Sequence, residues 1–99
     1  MHMAFNITFN EEKNQLLSAT RRISFEDVID CLQAGGLLAD IAHPSKGRPN
    51  QRIYVVKVGV YAFAVPYVID VHKEEIFLKT IYPSRALTKR YIQGGESYV

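Results

Sequence analysis

The sequence predicts an α+β fold, and three observations carry that prediction. Apolar runs rich in Val, Ile, Tyr and Phe follow one another from Arg52 to Tyr82, broken by turn signals at Gly59 and at Asp70 to Glu74, as in an antiparallel meander. Two segments with helix start and stop signals precede them, between Asn10 and Gly36. A short helical segment opened by Ser84 follows them. The 99 residues form one domain, 1–99, large enough to bury a core without staples. Residues 1–4 are expected to be a disordered or appended N-terminus, and residues 94–99 a loose tail.

Phe5 to Phe9 alternates as a short first strand. Asn10 is placed to cap the next helix, and Glu11 and Glu12 suit its positive end. Leu16, Leu17 and Thr20 are its expected apolar face, and Arg21 and Arg22 close it. Ser24 with Asp27 reads as a capping box for a second helix, whose face is Val28, Ile29 and Leu32. Gly35 or Gly36 supplies the left-handed residue that stops it. Cys31 is expected in or near the core. Leu37 to Ala42 reads as a strand at the sheet edge, followed by a loop from His43 to Gln51 that carries Lys46 and Arg48.

Within the meander, Pro66 removes a ladder donor and predicts an edge position or a bulge. The last strand is expected over Ile76 to Tyr82. Alternation then puts Phe77, Lys79 and Ile81 on one face, and Ile76, Leu78, Thr80 and Tyr82 on the other. Lys79 either snorkels at the rim or faces a groove. In the last helix Leu87 and Tyr91 are spaced to dock, while Arg85 and Lys89 are spaced to face solvent.

Net charge is only +2, too small to indicate nucleic acid by itself, but its distribution is uneven. Lys46, Arg48, Arg52 and Lys57 fall between Ile41 and Ile69 with no carboxylate among them. Lys79, Arg85, Lys89 and Arg90 fall in a second acid-free segment. One cysteine rules out an intrachain disulfide framework. The three histidines have no metal-ligand spacing, no phosphate-binding glycine loop or dinucleotide fingerprint occurs, and no cofactor is expected. The absence of a signal peptide or membrane-length run predicts a cytoplasmic protein.

What remains is cations and tyrosines on adjacent strands: Arg52, Tyr54, Lys57, Lys79, Tyr82, Arg85 and Lys89. Cations hold phosphates, and aromatic rings stack on unpaired bases. Such a set also suits metal-free RNA cleavage, in which the 2′-hydroxyl is the nucleophile and the protein aligns it and stabilises charge at phosphorus. The sequence identifies no general base.

The segments Phe9 to Asn14, Ile23 to Val28, Arg52 to Gly59 and Ile81 to Ala86 carry, in this order and spacing, a resemblance. The chain resembles the BrnT-like toxins of bacterial type II toxin–antitoxin systems, in the RelE/ParE-like group. The resemblance implies a strand, two helices, a mainly antiparallel sheet and a C-terminal helix. It implies an endoribonuclease that cleaves mRNA, and a cognate antitoxin with a ribbon-helix-helix DNA-binding domain; a homodimer is left open. Arg52 and Arg85 are the catalytic residues it carries over. Lys79 joins them from position and charge, with Lys57, Tyr54, Tyr82 and Lys89 binding RNA. The chain departs from many relatives in reading Ala19 to Arg22 where they have a Lys-His-Gly type ending, and Thr88-Lys89-Arg90 where they often carry a glutamate. Both departures remove a proton-transfer group. The alternative is therefore a non-catalytic protein-binding module on the same scaffold, acting through its antitoxin or another protein. An inhibitor of a topoisomerase is a third reading.

Overall fold

A computed structural model describes residues 5–44, 47 and 50–93. Lys46, Arg48 and the tail from 94 to 99 lie outside them, as do residues 1–4. The elements are β1 (Asn6–Phe9), α1 (Glu11–Arg21), α2 (Phe25–Gln33), β2 (Leu37–Ala42), β3 (Gln51–Val58), β4 (Tyr61–Asp70), β5 (Glu75–Leu78), β6 (Tyr82–Pro83) and α3 (Arg85–Thr88), which runs into a π-helical turn, Lys89–Gln93. The strands form one six-stranded sheet in the order β1-β5-β4-β3-β2, with β6 also on β4. The β1–β5 pair is parallel and every other pair is antiparallel. The fold is therefore α+β with a mixed sheet, and β2 lies at its edge. No helix among the described residues is long and apolar enough to cross a membrane.

The caps form where local chemistry places them. Asn10 accepts from the Lys13 N–H at 2.8 Å. Ser24 Oγ accepts from the Asp27 N–H at 3.1 Å, while Asp27 accepts from the Ser24 N–H at 2.9 Å. Each satisfies donors that a helix start leaves orphaned. Gly35 takes the left-handed conformation after α2, at φ 87°. Arg22 does the same after α1, at φ 59°, without the freedom of a glycine.

The apolar face of α1 differs from the expected one. Leu16 and Thr20 are exposed, and Leu17 is buried together with Asn14. Asn14 earns that position by joining the helices: its Nδ2 donates to Glu26 at 2.7 Å, and its Oδ1 accepts from the Phe25 N–H at 2.7 Å. A buried amide is tolerable when it is bonded in this way.

Side chains alternate across the sheet and build two cores. On one face α1, α2 and the link between them contribute Leu17, Ile23, Phe25 and Val28 against Val56, Val65, Tyr67, Ile76, Leu78 and Ile81. On the other, α3 and the turn after it set Leu87, Tyr91 and Ile92 over Ile53, Val55, Ala62 and Ala64, so the predicted docking by Leu87 and Tyr91 is observed. Two fully buried alanines let α3 approach the strands closely.

The expected single strand from Ile76 to Tyr82 is interrupted. Leu78 pairs with Tyr67, but Tyr82 pairs with Ala64, so one extra residue is accommodated between them, as in a β-bulge. The extra residue reverses the alternation. Ile81 joins Ile76 and Leu78 in the core under α1 and α2. Tyr82, opposite Ala64, moves to the α3 face with Phe77, which lies opposite Val68. The predicted faces are thus right up to Lys79 and inverted beyond it.

Pro66 explains where the interruption falls. It lies in a central strand, buried and paired with Ile53, and not at an edge. Its carbonyl accepts from the Lys79 N–H at 2.8 Å. In a strand the N and C=O of one residue face the same neighbour, so the donor that Pro66 lacks would have served β5's continuation. The partner strand loops out at that point. Arg21 Nη1 donates to the Ile81 carbonyl at 2.6 Å and ties the loop to the end of α1.

Candidate RNA-binding face

The seven residues singled out from the sequence do not form one constellation. Arg52 and Tyr54 share the α1/α2 face with Val56 and Tyr67. There Arg52 Nε donates to Asp40 Oδ1 at 2.9 Å and its Nη2 donates to the Asp40 carbonyl at 2.8 Å. The Tyr67 hydroxyl proton lies within reach of both Asp40 carboxylate oxygens, at 2.7 and 2.8 Å. The Tyr54 ring stacks on Tyr67 with centroids 3.9 Å apart. Burial, then the bond to Asp40, pushes the Tyr67 phenol above the ordinary tyrosine range. Arg52 is therefore engaged by a carboxylate of this chain, and Asp40 joins β2 to β3 through Arg52 and to β4 through Tyr67.

The other five are exposed and lie around α3. Lys57 is paired with Ala62, and Ala62 is where α3 is anchored. The Ser84 N–H donates to the Ala62 carbonyl at 3.0 Å, and the Ala62 N–H donates to Thr88 Oγ1 at 2.8 Å. Thr88 is buried in this anchoring role. Ser84 also caps α3 by accepting from the Leu87 N–H at 3.1 Å. Arg85 thus begins its helix beside the strand pair that carries Lys57.

Lys79 lies across from Pro66, and Tyr82 across from Ala64. From Pro66 to Ala62 is four residues of β4, about 13 Å of extended chain. Lys79, Tyr82 and the start of α3 follow that length. A row of this span suits an extended strand of phosphates better than a single anion. Lys57, Lys79, Arg85 and Lys89 have no ion-pair partner among the described residues. Between Gln51 and Ile69, and between Ile76 and Gln93, there is no carboxylate and no histidine. The face can hold and polarise phosphates, and Tyr82 can donate a hydrogen bond. Among the described residues of these two segments there is no proton acceptor of ordinary strength near neutral pH.

Among the described residues two further clefts are present, the first of them bordering the face at Lys57. One, of about 440 Å³, is lined by Asp27, Asp30, Cys31, Lys57 and the glycines flanking β2 and β4. Its thiol donates to the Lys57 carbonyl at 3.0 Å, and burial pushes that thiol up, away from reactivity. The other, of about 410 Å³, is a largely apolar groove that includes Phe5, Leu32, Leu37 and Tyr54. Among the described residues no group of three or more His, Cys, Asp or Glu is placed to hold a metal ion.

Sequence reasoning passed over Asp40, Tyr67 and Phe77. Asp40 is twelve residues from Arg52, and only the register of β2 on β3 brings them together. Phe77 carries the signal of an aromatic residue on the same strand face as Lys79, and its exposure depends on the tertiary structure. Comparison of the chain with protein-family models, with curated proteins and with solved structures gave no match.

Proposed function

We propose that the chain is the toxin of a bacterial type II toxin–antitoxin pair, BrnT-like within the RelE/ParE-like group, and that it cleaves RNA without a metal. The observation that carries this reading is the row of exposed cations on and beside the α3 face, free of acidic partners among the described residues. The order of elements supports it, being the one the resemblance implies: a strand, two helices, a mainly antiparallel sheet and a C-terminal helix.

In this reading Arg85 and Lys79 stabilise the charge that develops at phosphorus. Lys57 and Lys89 hold neighbouring phosphates, and Tyr82 stacks or donates a hydrogen bond. The substrate supplies its own nucleophile, the 2′-hydroxyl. Arg52, bound to Asp40, supports the sheet edge instead of touching the phosphate. The partner is an antitoxin carrying a ribbon-helix-helix domain.

The acid-free, histidine-free composition of both segments favours a second reading. The same face would bind without turning over, and toxicity would act through a protein partner. Cleavage of end-labelled RNA separates the two, run with free RNA in the presence of chelator and, separately, with translating ribosomes in magnesium buffer. The first reading expects fragments from the wild type and none from a folded Arg85→Ala variant. Intact RNA in both arms with folded wild-type protein would leave the binding module.

A further inference from the structure

Among the described residues, the exposed large hydrophobic side chains include two aromatic rings, Phe77 at 37% and Tyr82 at 38%. Both lie on the α3 face, opposite Val68 and Ala64 of the same strand. Neither ring belongs to the core that α3 covers, which is built on Ile53, Val55, Ala62 and Ala64. Lys79 stands between them in the chain and on the same side by alternation. A regular strand would have turned Tyr82 to the opposite face. The extra residue between Leu78 and Tyr82 is what brings the two rings to one surface, and Pro66 and Arg21 hold that irregularity in place. Bulges re-aim side chains in this way beside functional sites.

The spacing and charge select an occupant. From Val68 to Ala64 is four residues, about 13 Å, too far for one base to touch both rings. The spacing leaves room for a separate base at each exposed ring, with Lys79 between them where the connecting phosphates would run. Arg85 continues the positive charge beyond Tyr82. Glu75 and Asp70 pair at the other end of β5 and close the surface on that side. A duplex buries its base faces in its own stack and cannot use exposed rings; a single strand can.

We propose that Phe77, Lys79 and Tyr82 form a stacking platform for unpaired bases of single-stranded RNA, with Phe77 a binding residue in its own right. The proposal rests on the ribonuclease reading for its ligand class and concerns binding, not cleavage.

The test uses a short fluorescent single strand, 2′-O-methylated so that it binds without being cut, and the same strand annealed to its complement. Affinity is measured by anisotropy across a range of salt. Phe77→Ala is expected to bind the single strand about 5- to 150-fold more weakly with an unchanged salt slope, since stacking releases no counterions. Phe77→Leu keeps apolar packing without the ring and is expected to show the same loss, whereas Phe77→Tyr should bind like the wild type. Lys79→Ala should instead lower the salt slope by about 0.7. The duplex should bind weakly and ignore Phe77. Wild-type affinity in both Phe77→Ala and Phe77→Leu overturns the platform and leaves the ribonuclease reading standing. A wild type that holds the duplex as tightly as the single strand, or holds neither, overturns it too. Unchanged RNA affinity with loss of antitoxin binding in Phe77→Leu would make this face a protein interface. Cleavage is read in a separate assay, so failure of the platform and failure of the enzyme give different results.

Discussion

The two faces of the sheet use similar residues to opposite ends. On the α1/α2 face Arg52, Tyr54 and Tyr67 have partners within the chain: Asp40 takes the guanidinium and the phenol, and the two rings stack on each other, while the Arg52 side chain keeps 41% of its exposure. On the α3 face Lys79, Tyr82, Arg85 and Lys89 are exposed and unpaired among the described residues. The difference is the presence of one carboxylate. Asp40 reaches the first group from the neighbouring strand, and no acid lies in the segments that carry the second. The surroundings of an arginine on a strand are thus known only once its cross-strand neighbours are known.

If the helix-pair face is the main source of stability, a fully buried ring on it should matter most. Phe25 is fully buried and stacks on Phe9 with centroids 5.0 Å apart. Phe25→Ala should cost about 3–5 kcal/mol. Leu87, half-buried on the sheet-facing side of α3, should cost about 1–2 kcal/mol when cut to alanine. Urea denaturation of both variants checks the ordering, and equal losses would show that the faces contribute alike.

The Asp40 network should respond next. Asp40→Ala leaves the Tyr67 hydroxyl without its acceptor, at a cost of about 1–2 kcal/mol. The pH dependence has a definite sign. A phenol whose folded pKa lies above its unfolded value near 10 binds its proton more tightly in the native state. Its contribution is complete below pH 10 and is lost as the pH rises further. Melting temperature followed from pH 8 to 11 should fall in the wild type and fall less in Tyr67→Phe. Identical profiles would remove Tyr67 from the network's energetics.

The smallest effect is a gain. Arg22 holds a left-handed conformation that glycine adopts without penalty. Arg22→Gly should stabilise by up to about 1 kcal/mol, or about 5 °C in melting temperature for a domain of this size. A loss would mean that the Arg22 side chain contributes more than its backbone costs.

Much of the fold was legible because its signals are short-range. Asn10 with Lys13, Ser24 with Asp27 and Ser84 with Leu87 each act over three residues, and all three caps form. The buried side of α1 was misread, because Leu16 looks apolar in sequence while Asn14 is buried only through partners on α2. The candidate site was legible as a list of charges and rings, and illegible as an arrangement. Arg52 and Tyr54 share a strand with Lys57, yet alternation sends them to the other side of the sheet.

By itself the sequence determined the order of the elements, their caps and the acid-free composition of the two basic segments, since these depend on residues within a few positions of one another. Only the tertiary structure decided which cations remain unpaired and which rings share a face. Those outcomes depend on strand register: Asp40 meets Arg52 because β2 pairs with β3, and Tyr82 joins Phe77 because β4 carries a proline where its partner must bulge. In a sheet one residue of slip exchanges the faces, and no local pattern records that slip.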